Sequence, residues 1–170
     1  MAQYRYSKQN IEEEHTAKAV GISLPISTKQ SIEVCNFIRN KPLERAKTML
    51  NDVILTKIAV PFKRFKVIGH KRGNMASGRY PIKTSKEILG VLESAEANAQ
   101  FKGLNTSNLF ICHISSQKAG NQWHYGRQKR RKMKRTTIEV VLQEKASDKK
   151  QTKENKKDKT SKKQSKEAKK

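Results

Sequence analysis

Seven of the ten side chains in residues 126–135 (GRQKRRKMKR) are cationic: Arg127, Lys129, Arg130, Arg131, Lys132, Lys134 and Arg135. The chemistry open to such a set is the capture of phosphate, with arginine as a planar bidentate donor and lysine as a point charge. Just upstream, Trp123 and Tyr125 add flat faces on which exposed bases can stack. A second group spreads over residues 60–83 (VPFKRFKVIGHKRGNMASGRYPIK). There Lys63, Arg64, Lys66, Lys71, Arg72, Arg79 and Lys83 are interleaved with Phe62, Phe65 and Tyr80 and punctuated by three glycines. Basic and aromatic residues on a glycine-containing loop suit contact with folded RNA, which is read through shape and phosphates more than through base edges. Phe62 either takes part in that contact or anchors the loop to the helices; the pattern leaves both open.

No set of residues competes as a reaction centre. His15, His70, His113 and His124 stand in unrelated contexts without a nucleophile beside them, and Glu12, Glu13 and Glu14 form an acidic run expected to be solvated. There is no phosphate-binding glycine loop, so an enzyme is not expected. Cys35 and Cys112 lack the spacing of a zinc site or a disulfide framework, and both are expected to be buried as small apolar side chains. No metal or cofactor is expected.

The overall charge agrees with a polyanionic partner: 38 Lys and Arg against 15 Asp and Glu in 170 residues, a net charge of +23. No apolar run approaches the roughly 18 residues of a membrane span, and no signal-peptide core follows Met1. The chain is therefore expected to be soluble and intracellular. Its last part, residues 145–170, holds twelve lysines against four acidic residues and no Leu, Ile, Val, Phe, Trp or Tyr. Nothing there offsets the entropy of ordering, so it is expected to be a disordered Lys-rich tail. Residues 1–144 are expected to form one domain.

The elements that must carry the basic groups follow from periodicity. Val20, Ile22, Leu24 and Ile26 alternate as the buried face of a strand, which Pro25 places at a sheet edge or strand end. A helix is expected over about 28–39, opened by a Ser27/Gln30 capping box and striped by Ile32, Cys35 and Ile38. A second begins after Pro42 with Leu43, Ala46, Leu50, Val53 and Ile54 on one face. A third has Thr84 and Glu87 at capping-box spacing, a stripe of Ile88, Val91, Leu92, Ala95 and Ala99, and Gly103 as its stop. All three stripes are expected to be core. Two strands close the domain: Phe110, Cys112 and Ile114 share one face, Ile138, Val140 and Leu142 another, and the two should pair antiparallel. Between them, residues 115–135 lose the alternation and have no core of their own. They read as a hairpin extension of some ten residues per arm, roughly 30 Å long, that needs a partner to hold it.

Six ordered segments (TAKAVGISLPIS, VPFKRF, GRYPIK, EANAQFKGL, HYGR and TTIEVVL) resemble the large-subunit ribosomal protein twenty-two family of the bacterial count, seventeen in the eukaryotic count, and its archaeal form most. The resemblance spans residues 4–144. It implies an α+β fold of three helices packed on a small three-stranded antiparallel sheet with a long protruding β-hairpin. It implies a structural constituent of the large ribosomal subunit, located in the cytoplasm within the ribosome. Such a protein would bind large-subunit ribosomal RNA, touch neighbouring large-subunit proteins and support assembly, with no membrane span and no homo-oligomer. The hairpin would line the peptide exit tunnel, with Trp123, His124, Tyr125, Gly126 and Arg127 at or near its tip beside the nascent peptide and residues 129–135 as the returning arm. The sequence departs from the family pattern in the rising arm, which is short and has only Lys118 as a cation before Arg127. A shortened or asymmetric hairpin is therefore expected. The alternative from another class is a small basic architectural DNA-binding protein; that would place its cations on a recognition helix or an intercalating ribbon, whereas here they fall mainly on loops and an arm.

Overall fold

Residues 16–24 enter the fold as an edge strand, and the rest of the chain is laid against it. A computed structural model describes residues 4–9, 14–71, 73 and 75–145. In chain order the elements are β1 (Thr16–Leu24), α1 (Thr28–Ile38), α2 (Leu43–Ile54), the two-residue strands β2 (Val60–Pro61) and β3 (Gly78–Arg79), α3 (Ile82–Phe101), β4 (Leu109–Lys118) and β5 (Thr136–Glu144). Among the described residues the main sheet is antiparallel in the order β1-β5-β4, with the helices on one face; β2 and β3 form a separate small antiparallel pair. This is the expected α+β fold. The expected tail lies outside the described residues apart from Lys145, whose N–H donates to the Asn108 carbonyl.

The helices keep their expected stripes for a simple reason: each apolar set repeats near 3.6 residues and has one surface to bury. Leu43, Ala46, Leu50 and Val53 of α2 and Ile88, Val91, Leu92, Ala95 and Ala99 of α3 are all buried, while Ile54 is only half-buried. Gly103 ends α3 as expected. Its φ is +74°, its N–H donates to the Gln100 carbonyl, and the Leu104 N–H reaches back to Ala99, the paired bonds of a glycine-closed helix end.

The capping boxes do not form. Ser27 caps α1 without a side-chain bond, and the Gln30 side chain instead accepts from Thr84 Oγ1 at 3.3 Å. Thr84 is buried inside the first turn of α3, because Pro81, with its fixed φ and no N–H to satisfy, already caps the helix two residues ahead of Lys83. In α1, Ile32 is only half-buried, and Ser31, Glu33 and Val34 join Cys35 and Ile38 inside. Burial pushes the Cys35 thiol up to about 12, so it stays protonated at neutral pH. Cys35 should therefore resist iodoacetamide at pH 8 until the protein is unfolded, while the half-exposed Cys112 reacts; equal labelling rates in the native protein would show that the α1 face opens.

Both edge strands begin on the opposite parity from the one expected and return to it only after an irregularity, at Leu24 and Ile26 around the end of β1 and at Ile114 in β4. In β1 the inward residues are Ala17 and Ala19, and Ile22 is 65% exposed. Small side chains suit a strand pressed under α3: a Cβ on Gly21 would lie 2.8 Å from Val91 Cγ2. An irregularity between Gly21 and Leu24 then shifts the register, with Ser23 at φ +54°, and brings Leu24 and Ile26 back against the core. The strand is an edge and stops just before Pro25, as the proline required. In β4 the buried set is Leu109, Ile111 and Ile114, not Phe110, Cys112 and Ile114, because a bulge between Ile111 and His113 inserts one residue and flips the face. Cys112 consequently sits half-exposed, accepting a hydrogen bond from Lys8 Nζ at 3.0 Å, and is not a core residue.

The central strand β5 is buried on both faces. Ile138, Val140 and Leu142 point to the helices as expected, Glu139 bonds to residues near the N-terminus, and Val141 is buried too. The Glu139 carboxylate accepts from the Ser7 amide at 3.1 Å, from the Ser7 hydroxyl, from Ser115 Oγ at 2.6 Å and from Gln117 Nε2 at 3.1 Å. These bonds draw residues 115–118 into the sheet, so the extension begins after Lys118 rather than at Ser115.

Candidate nucleic-acid interface

The first basic group is built on a buried acid. Glu33, 1% exposed on α1, turns its carboxylate toward the start of the β2–β3 excursion. It accepts from three successive backbone amides: Lys63 at 3.1 Å, Arg64 at 2.7 Å and Phe65 at 2.8 Å. The carboxylate ties down the backbone while the Lys63 and Arg64 side chains are left exposed. The far limb is fastened by the Phe62 N–H to the Ser77 carbonyl at 2.9 Å, the Lys71 N–H to Ala76 at 2.8 Å and the Ser77 hydroxyl to the Lys66 carbonyl at 3.2 Å. β2–β3 pairing then sets exposed Arg79 directly opposite Val60, close to the first turn of α3, where Lys83 is exposed. Lys63, Arg64, Lys66, Lys71, Arg79 and Lys83 are thus assembled around one loop; Arg72 lies outside the described residues.

The aromatics of this loop hold it in place. Phe62 is buried, which resolves its role as an anchor. Phe65 is half-buried between the Lys29 ammonium, 5.7 Å from its ring centre, and the Arg64 guanidinium at 5.6 Å; Lys71 sits 4.4 Å over Tyr80.

The second group occupies the extension. Beyond Lys118, which pairs with Thr136, three backbone bonds cross between the arms: Ala119 N–H to Arg135, Met133 N–H to Gln122 and His124 N–H to Arg131. Trp123 faces Lys132, whose ammonium lies 4.6 Å over the indole. The chain reverses through a 3₁₀ turn at Gly126–Gln128, entered by Gly126 at φ +62°. Gly126 and Arg127 are therefore in the reversal with Tyr125 leading in, while Trp123 and His124 belong to the rising arm. Lys118 to His124 spans six residues, roughly 20 Å at strand rise, so the extension is short, as the sparse rising arm implied. Arg127, Lys129, Arg130, Arg131, Lys132 and Lys134 are exposed.

Arg135 differs from its neighbours. It is half-buried, with Nη1 donating to the Ser23 carbonyl at 3.1 Å, so it pins the base of the extension to the kink of β1. The sequence places it in the cationic run without revealing this bond. Glu33 and Glu139 are the other residues that sequence reading missed. The signal for each was an acid set inside an otherwise apolar stretch, IEVC and TIEVV.

The electrostatics of the two groups have one sign. Among the described residues none of these loop or arm cations forms an ion pair with a carboxylate. Among the same residues no cluster could hold a metal ion, and no helix is long and apolar enough to cross a membrane. His15, His70, His113 and His124 stay apart. Burial lowers His113 despite the adjoining Glu139, so it is neutral near pH 7, with Nε2 3.0 Å from Ser7 Oγ. Burial would raise Glu139, but the Ser115 and Ser7 donors and His113 outweigh it and hold the carboxyl below its ordinary value. A depressed folded pKa contributes stability that is present above the ordinary carboxylate range and lost as pH falls through and below it. The Ser7 amide should therefore be protected from hydrogen exchange at pH 7 and lose that protection, after correction for intrinsic rate, below about pH 4. Protection that persists in Glu139→Ala at pH 7 would show that other contacts hold this segment.

The sequence profile described as Ribosomal protein L22p/L17e matches residues 19–143. Among similar proteins, the large ribosomal subunit protein uL22 of Archaeoglobus fulgidus is 41% identical over 151 residues, covering 84% of this chain and 97% of its own length. The uL22 proteins of Methanopyrus kandleri and Methanocaldococcus jannaschii are 41% and 39% identical over 150 and 152 residues, each covered for more than nine-tenths of its length.

Proposed function

The chain belongs to the ribosomal protein L22p/L17e family, and from that premise we propose that it binds large-subunit ribosomal RNA through its loop and its extension, bracing the RNA during assembly. It is a structural constituent of the large ribosomal subunit of the cytoplasmic ribosome, of archaeal type, and not an enzyme. The observation that carries the RNA-binding reading is the pair of exposed cation groups left without carboxylate partners among the described residues. Proteins ordinarily interleave surface charges of both signs, and concentrating one sign costs self-repulsion that a polyanion relieves. The extension fits the same reading, since three cross-arm backbone bonds and no apolar core leave it dependent on a partner. Its tip, around Tyr125, Gly126 and Arg127, would reach toward the peptide exit tunnel and the nascent peptide. Neighbouring large-subunit proteins complete the contacts, and no homo-oligomer is required. Residues 1–144 act as the RNA-binding domain, with residues 145–170 as an appendage.

Limited trypsin digestion, read by mass, tests this. Rapid cleavage between Arg127 and Arg135 is expected in the free protein, and protection in the assembled subunit. Equal protection in both would mean that the extension supports itself, and equal cleavage in both that it never enters RNA.

A further inference from the structure

A cleft of about 270 Å³ opens between the C-terminal half of α1 and β2, lined by Glu33, Asn36, Phe37, Lys41, Pro61 and Lys63. Resting on the RNA-binding reading above, we infer that this cleft receives a single unstacked nucleotide of RNA, its base against Phe37 and Pro61 and its phosphate on Lys41 and Lys63.

The cleft has the parts that such a ligand needs. Phe37 is half-buried and packed on the core, so its ring is held in place before anything binds, and Pro61 supplies an apolar ring from the other element. The volume falls just under the roughly 300 Å³ floor of ordinary small-ligand sites, which suits one flat ring rather than a larger ligand. Asn36 is exposed, and among the described residues its amide has no hydrogen-bond partner, leaving a donor and an acceptor for a base edge.

The cations are poorly matched without an anion. The one acid in the cleft, Glu33, already has its carboxylate engaged by the amides of Lys63, Arg64 and Phe65. Among the described residues the Lys41 ammonium finds only the Phe37 ring, 4.6 Å from its centre, and Met49 Sδ at 3.2 Å. Burial, and then the nearby Arg45, lower the Lys41 pKa, the mark of a charge short of a counterion. An incoming base would take the ring face and move Lys41 onto the adjoining phosphate. A second cleft, of about 480 Å³, shares Pro61 and Lys63 with the first, and Lys66 also lines it. Lys63 thus stands on the rim of both, placed to hold the backbone as it passes from one to the other. RNA is the polymer that offers splayed single bases beside a continuous phosphate chain.

Large-subunit ribosomal RNA transcribed in vitro is the probe, and ultraviolet cross-linking of its complex with the full chain, followed by trypsin and mass spectrometry, is the direct test. A nucleotide adduct on the peptide of residues 30–39, which contains Asn36 and Phe37, is expected. Replacing the ring should weaken affinity by about tenfold, the usual effect of losing one stacked base. Phe37→Leu should show that loss with an unchanged salt slope, and Phe37→Tyr should restore affinity. Lys63→Gln should lower the salt slope by about one. Asn36→Ala, at an exposed site that cannot unfold the domain, should also weaken binding. Adducts confined to the loop and the extension, with Phe37→Leu and Asn36→Ala binding as the parent does, would overturn the cleft while leaving RNA binding intact. A parent chain without affinity for the transcript would overturn both readings.

Discussion

Affinity for large-subunit ribosomal RNA is expected to fall by about a thousandfold or more as salt rises from about 50 to about 200 mM, because six or more phosphates release their counterions on binding. The six exposed cations of the extension and the exposed Lys63, Arg64, Lys66, Arg79 and Lys83 of the loop supply more than that number. None of these cations is diverted to a carboxylate among the described residues, so little of the charge is lost to the protein itself. Substituting any one exposed member by glutamine, Lys129 or Arg131 for example, should lower the slope of log affinity on log salt by about one. Arg135→Gln should behave differently: it removes the bond to the Ser23 carbonyl and loosens the base of the extension rather than deleting one phosphate contact. Filter binding across a salt series is the measurement, and a nearly flat response would refute the electrostatic account.

The largest expected effect on folding comes from Glu33, a buried acid that holds the loop backbone. In Glu33→Ala the amides of Lys63, Arg64 and Phe65 lose their common acceptor. Each stranded donor costs about 1–3 kcal/mol when water cannot replace the bond. Some water would enter as the loop opens, so a net loss of about 3 kcal/mol is expected, or roughly 10 °C of melting temperature for a domain of this size. Glu33→Gln should lie between, since an amide keeps one accepting oxygen but presents an N–H to another donor. The same variants should show fast amide exchange at residues 63–65 and weakened RNA affinity at low salt, because the loop cations would no longer be held together. An unchanged melting temperature in Glu33→Ala would mean that β2–β3 pairing and the buried Phe62 hold the loop alone.

These two effects differ in how far they could be read from the chain. The cation groups were legible at once, since charge needs no partner to be counted. So were the helices, where the stripes of Leu43, Ala46, Leu50 and Val53 and of Ile88, Leu92 and Ala95 repeat at a period set by local backbone geometry. Gly103 marked a helix end, and Ile138, Val140 and Leu142 marked the inward face of β5, because a central strand between two others has no freedom to slip. The edge strands were read correctly only beyond their irregularities, at Leu24, Ile26 and Ile114. Ile22 promised a buried face by its own hydrophobicity, yet α3 presses so closely on β1 that Ala17, Ala19 and Gly21 take that side. The bulge after Ile111 could not be counted from alternation, since one inserted residue reverses every side chain beyond it. Composition and periodicity singled out neither Glu33 nor Glu139, and Arg135 counted as one more phosphate-binding cation. Their roles rest on donors and acceptors about 30 residues away for Glu33, 132 for Ser7 and Glu139, and 112 for Arg135 and Ser23. A period is a property of neighbours along the chain, whereas the partner that makes a buried charge tolerable is chosen by packing, and packing exists only once the chain has folded.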